Sequence, residues 1–130
     1  MEKFKFVFDD STGILYKYYY GSITIEDISS SWDYAIAHNL IPKNTKEFIL
    51  DYRKATFQIK LTEYEMIADY YKQNLDIFRN KKIAIITQTS KDVIIPALVE
   101  TKDDDYSSAP FYTLSAAINW VLRWSFGEYF

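Results

Sequence analysis

A strand–helix–strand relay in the middle of the chain constrains its fold more than any other feature. The apolar run Phe48-Ile49-Leu50-Asp51 ends in an acid. A capped helical pattern follows from Thr62 to Phe78, and then a second apolar run, Ile83-Ala84-Ile85-Ile86. Within the helical pattern, Thr62-x-x-Glu65 reads as a capping box with Leu61 and Met66 at the staple positions. Met66, Ile67, Tyr70, Tyr71 and Phe78 supply the buried stripe. The second run is apolar at every position, as a strand covered on both faces must be. Such units build parallel sheets.

The flanks extend this order. Phe4, Phe6 and Phe8 alternate with Lys3, Lys5 and Val7, the period of a half-buried strand. Asp9-Asp10-Ser11-Thr12-Gly13 is a turn cluster. Ile14, Tyr16, Tyr18 and Tyr20 then share one face of a second strand, which makes a hairpin. Thr24 with Asp27 opens a helix whose face carries Ile25, Ile28, Trp32, Ala35 and Ile36 and which closes near His38. A third helix starts at Thr89 or Ser90, with Pro96 leaving its bounds open. Asp103-Asp104-Asp105 reads as a solvated loop, Ala109 to Tyr112 as a last strand, and Thr113 as the cap of a closing helix. The order is β-β-α-β-α-β-α-β-α: one α/β domain over residues 1–130, with a mixed, mainly parallel sheet flanked by helices.

Composition excludes several classes. A net charge of −3 leaves no electrostatic footprint for nucleic acid. The absence of cysteine removes disulfides and thiolate metal sites. The run from Val93 to Val99 is too short to span a bilayer. The alternating, charged start is not a signal peptide. These features read as a cytoplasmic protein.

Chemistry is sparsely marked. His38 is the sole histidine and stands at a helix end, where a surface role explains it. The three glycines are too scattered for a phosphate loop. No metal site and no cofactor are expected. One location has a physical claim: strand ends in open parallel sheets form the usual ligand crevice. Asp51 and Arg53 would stand after one strand, Thr87 and Thr89 after the next, and Thr62 on the intervening helix. These five are the candidate binding residues. Against this, Asp51 can pair with a neighbour while Thr62 and Thr89 simply cap helices. The aromatic end also has two readings. Trp120 is expected to pack. Trp124, Phe126, Tyr129 and Phe130 either pack or present residues 125–130 as an interaction tail for a partner or a second copy.

Four segments together resemble the SpoIIAA-like (STAS-like) superfamily, over about residues 5–123. They are Gly13-Ile14-Leu15 with Tyr20-Gly21-Ser22-Ile23-Thr24-Ile25-Glu26-Asp27, then Phe48-Ile49-Leu50-Asp51, then Lys82-Ile83-Ala84-Ile85-Ile86, and the stretch from Phe111 to Val121. The last is similar to an uncharacterised bacterial branch that includes lipid-transfer-like proteins. The resemblance implies a non-enzymatic domain that acts by binding, often switched by phosphorylation at an Asp-Ser pair. Here the matching stretch is Ile59-Lys60-Leu61-Thr62, so Thr62 is the one hydroxyl available to such a switch. The expectation is an interaction or regulatory module with an unidentified protein partner, and a homodimer if the aromatic tail is exposed. Two alternatives stand beside it. One is a binder of a small apolar or lipid-like ligand, which requires a Tyr- or Phe-lined pocket between helices and sheet. The other is an enzyme using the strand-end edge near Asp51.

Overall fold

The computed structural model describes residues 3–123. Strands β1 (Phe4–Asp9) and β2 (Ile14–Ile23) form the hairpin, and helix α1 (Ile25–Ala37) follows. Strand β3 (Glu47–Phe57), α2 (Tyr64–Gln73), the short α3 (Leu75–Phe78) and β4 (Lys82–Ile86) make the relay. Helix α4 (Ser90–Glu100), β5 (Ser107–Phe111) and α5 (Leu114–Leu122) complete the chain. The sheet has five strands in the order β1-β2-β3-β4-β5. Only β1 runs antiparallel to its neighbour; the other pairings are parallel.

Local chemistry accounts for the joints. Gly13 takes a φ of 77°, and a Cβ there would meet the Lys46 side chain at 2.9 Å, so the hairpin turn requires glycine. Thr24 and Asp27 close a reciprocal capping box on α1, and Lys3 pairs with the same Asp27 carboxylate at 3.0 Å. Thr89 and Thr113 each accept a backbone N–H of the third helical residue, capping α4 and α5. Helix α4 runs through Pro96 without breaking. Proline there withholds the N–H that the Asp92 carbonyl would accept. The Asp92 side chain meanwhile accepts the Phe57 N–H at 3.3 Å, tying α4 to the end of β3.

The sheet faces are covered unequally. On one face α1 to α4 close over Leu15, Tyr19, Phe48, Leu50, Tyr52, Ile83 and Ile85, with Trp32, Ile67, Tyr71 and Phe78 as the main helical contributions. Phe4, Phe6 and Phe8 join the same core from β1. On the other face a single helix, α5, sets Ala117 and Val121 against Ile14, Ile49, Ala84 and Ile86. Trp120 packs at the edge of this smaller cluster, 5.4 Å from the Phe111 ring. The remaining tail aromatics from Trp124 onward lie outside the described residues.

Several expectations need correction. Thr62 does not cap a helix. It is exposed within a 3-10 turn, Leu61–Glu63, and α2 begins after it without a side-chain cap. The reciprocal contact belongs instead to Glu63, which accepts the Lys60 backbone N–H at 2.8 Å. Leu61 and Met66 are consequently exposed rather than stapled, and Ile67, Ala68 and Tyr71 carry the buried stripe. The relay helix also breaks at Asn74, where the chain leaves helical geometry before α3. Strand β3 runs six residues past Asp51, because its second half pairs with the end of β2 through Ile23 and Phe57. Strand β5 starts at Ser107, two residues earlier than expected. Asp103 is not a free loop residue: it is half-buried and accepts hydrogen bonds from the Ser108 N–H and hydroxyl.

Candidate functional site

On the thinly covered face, the second halves of β2 and β3 border an open cleft of about 450 Å³. Tyr18, Tyr19, Tyr20, Asp51, Arg53, Lys54 and Gln88 line it. A bulge builds it. Tyr18 pairs with Asp51 and Tyr20 with Lys54, so Tyr52 and Arg53 together oppose the single Tyr19. The extra residue bends β3 and re-aims its side chains. Arg53 is thereby turned back onto Asp51, two residues earlier in the same strand.

The pair is closely made. Asp51 is 5% exposed and accepts from the Arg53 backbone N–H at 2.9 Å, from Nε at 3.0 Å and 3.1 Å, and from Nη2 at 2.6 Å. The carboxylate holds the Arg53 guanidinium above its ordinary pKa. Arg53 itself is 36% exposed, so its charge still reaches water. Partial burial, with the Asp51 charge next, raises the Tyr18 phenol and keeps it a neutral donor.

The five candidates therefore do not converge. Asp51 and Arg53 meet in the cleft, and Gln88 borders it from the loop after β4. Thr87 is wholly buried, and its hydroxyl has no hydrogen-bond partner among the described residues. Thr89 caps α4. Thr62 stands on its exposed turn. Strand-end reasoning failed here because β3 does not end at Asp51. His38 stacks on Tyr34 with ring centroids 4.0 Å apart, and its Nδ1 lies 2.9 Å from the Tyr34 carbonyl oxygen, as a helix-end residue.

A second ionisable site was not foreseen. Lys17 is fully buried, on the opposite face from its neighbour Tyr18. Its Nζ lies 4.0 Å from the ring centroid of Trp32, 4.5 Å from Tyr19, 5.4 Å from Phe6 and 5.8 Å from Phe4. Its hydrogen bond goes to the buried Ser31 hydroxyl, which itself donates to the Ile28 carbonyl at 2.9 Å. Burial drives the Lys17 amine well below its ordinary pKa. The signal was present in the sequence. Leu15, Lys17 and Tyr19 alternate opposite the Tyr16–Tyr20 face, so Lys17 stands in an apolar row.

The lipid-like alternative requires space between helices and sheet. The space bordered by Tyr52, Tyr71, Phe57, Ile28 and Ile95 amounts to about 20 Å³. That is room for about one water and not for an acyl chain. Among the described residues no cluster of three or more His, Cys, Asp or Glu side chains could hold a metal ion. None of their helices is long and apolar enough to cross a membrane.

Comparison with known proteins agrees with this architecture. No family model matches the chain. No curated protein matches it either. A solved structure does: an uncharacterized protein from the DUF3478 family of Shewanella loihica PV-4, described as having a SpoIIAA-like fold. It is 14% identical, the match covers 91% of each chain, and the TM-score is 0.61. With a hairpin leading into parallel strands, and helices on both faces, this chain has the SpoIIAA-like fold.

Proposed function

We propose that this chain is a non-catalytic interaction domain whose contact surface is the open sheet face around Tyr18, Tyr20 and Lys54. One observation carries the reading: a tyrosine- and cation-lined cleft lies on the face that, among the described residues, only α5 covers, and the one described carboxylate lining it is engaged by Arg53. A general base needs a carboxylate free to take a proton. Asp51 instead accepts four hydrogen bonds from one arginine. Tyrosine and arginine are the residue types enriched where proteins meet. Modification of the exposed Thr62 would add charge to the turn that precedes α2, and is a separate proposal for how such a domain is switched.

Photo-crosslinking in the native host tests the reading. A photoreactive phenylalanine at Tyr20 is expected to trap a protein that the same group at Met66, exposed on α2, does not trap. The purified partner should then bind the unmodified chain and fail to bind Gln88→Trp, which fills the cleft mouth. Equal adducts at both positions, or unaltered binding by Gln88→Trp, would defeat the proposal.

A further inference from the structure

The partner's chemistry follows from the charges on this face. We infer that the cleft receives an extended acidic segment of the partner, with two carboxylates one residue apart and an apolar side chain close by; this rests on the interaction reading above. Residues paired across strands share a face of the sheet. Lys5 on β1 pairs with Tyr18, and Lys54 on β3 pairs with Tyr20. Both lysines therefore stand on the open face, one on each side of the β2 tyrosines. Both are exposed, and neither is ion-paired among the described residues. The Asp51 charge is offset by Arg53. The cleft end of the face thus holds two cations without an ion-pair partner among the described residues, while Asp9, the acid of β1 on the same face, stands at the other end of the strand beside Tyr16.

Spacing selects a segment over a single small anion. β1 and β3 stand two strand spacings apart, about 9–10 Å, so Lys5 and Lys54 do not converge on one point. Alternate side chains of an extended segment project to the same side about 7 Å apart, a gap that two lysine arms span. The cleft volume of about 450 Å³ suits several side chains. Beside the cations lies an apolar strip. Tyr16 and Tyr18 stack at 6.1 Å with a 10° tilt, and Val7, opposite Tyr16, is 40% exposed. The Tyr18 and Tyr20 hydroxyls add donors that suit carboxylates.

The test uses the full chain and a capped peptide, acetyl-Gly-Glu-Gly-Glu-Gly-Leu-Gly-amide, whose two Glu and one Leu share a side when the backbone is extended, followed by amide and Arg53 Nε–H nuclear magnetic resonance. The peptide is expected to shift signals of Tyr18, Tyr20, Arg53 and Lys54. Replacing both Glu by Gln should weaken binding about tenfold, and raising salt from about 50 to 300 mM should weaken it several-fold. The Lys5→Glu/Lys54→Glu variant should lose binding while keeping its thermal midpoint, since both side chains are exposed; Lys5→Gln/Lys54→Gln, without charge reversal, should fall between. Equal binding of Glu and Gln peptides would overturn the inference, as would retained binding by the double Glu variant. Inorganic phosphate matching the peptide in affinity would also overturn it, in favour of a small-oxyanion site. A crosslinked partner that Gln88→Trp blocks but Lys5→Glu/Lys54→Glu does not would leave the interaction reading standing and remove this one.

Discussion

Lys17 and Tyr18 are neighbours on one strand, yet they look into two environments. Lys17 enters the face sealed by α1 to α4, and Tyr18 the face that α5 covers only in part. On the sealed side, four rings and one hydroxyl surround an amine that has no carboxylate partner among the described residues, and exclusion of water drives it toward its neutral form. On the open side, Asp51 and Arg53 meet as an ion pair, and the carboxylate holds the guanidinium above its ordinary pKa. The same sheet thus handles ionisable side chains in two ways. Where water is excluded the proton leaves; where water remains the charge is matched. The first arrangement suits a scaffold and the second suits a surface that must recognise charge.

Breaking the sealed side gives the largest expected effect. Trp32 is fully buried and meets Phe6, Phe48 and Phe78 edge-to-face at 5.8, 5.7 and 5.2 Å. Trp32→Ala should cost about 3–5 kcal/mol, read by urea denaturation. It also admits water beside Lys17, so the Lys17 amine, followed by carbon-detected titration of a labelled lysine, should titrate closer to its ordinary value. An unaltered titration would mean that the rings are not what excludes water there.

Lys17→Met sharpens the comparison in the opposite direction. It keeps the volume and removes the group that resists burial, so it should stabilise the fold by about 1–4 kcal/mol near pH 7. The sign follows from linkage. A base whose folded pKa is depressed binds fewer protons folded than unfolded, so stability rises with pH from the folded value up to 10.5. The advantage of Lys17→Met should therefore shrink as pH climbs toward 10.5 and be constant well below the folded value. An advantage independent of pH over that whole window would show that Lys17 keeps its proton in the core.

The open side predicts an asymmetry within one ion pair. Arg53→Gln strands a carboxylate that is 5% exposed, whereas Asp51→Asn strands a guanidinium that is 36% exposed. The first should cost about 2 kcal/mol and the second about half of that, after allowance for screening by solvent. Equal losses in denaturant midpoints would indicate that Asp51 reaches water more freely than its burial implies.

How much of this was legible in advance depended on which forces were local. The strand–helix–strand order of the relay, the Thr24, Thr89 and Thr113 caps and the apolar rows of β3 and β4 follow from periodicity and backbone chemistry within a few residues, and the structure has them; the bounds of β3 and of the relay helix differ from the expected ones. Asp51 and Arg53 were named for the wrong reason. They were placed at a strand end, but a mid-strand bulge brings them together. Nothing local marks that bulge, because it arises from the register between β2 and β3. The Thr62 expectation failed for a related reason. Thr-x-x-Glu fits a capping box, yet Glu63 reached the Lys60 N–H first and the helix began later. Lysine is ordinarily a surface residue, but the alternation of Lys17 with Leu15 and Tyr19 places it on an apolar row, and it is fully buried there.

The smallest expected effect tests the rim of the sealed face, where the two regimes meet. Asp103 accepts from the Ser108 N–H and, at 2.8 Å, from its hydroxyl, yet partial burial pushes its carboxyl up from 3.8 to about 6. It behaves as neither Lys17, set among rings and the Ser31 hydroxyl, nor Asp51, which has a cation in contact. A raised carboxyl binds its proton more tightly folded than unfolded, so stability falls as pH rises from 3.8 to about 6 and is level above that. Asp103→Asn should remove this slope, with a difference from wild type under about 1 kcal/mol because the group is half exposed to water. The window is separable from that of Asp9 and Asp27, whose carboxyls are held below 3.8 and which withdraw stability only as pH falls beneath it. Parallel curves for wild type and Asp103→Asn between pH 3.8 and 6 would mean that the two Ser108 hydrogen bonds outweigh burial. Asp103 would then be a carboxylate whose hydrogen-bond donors set its state, and the sealed face would end one layer further in.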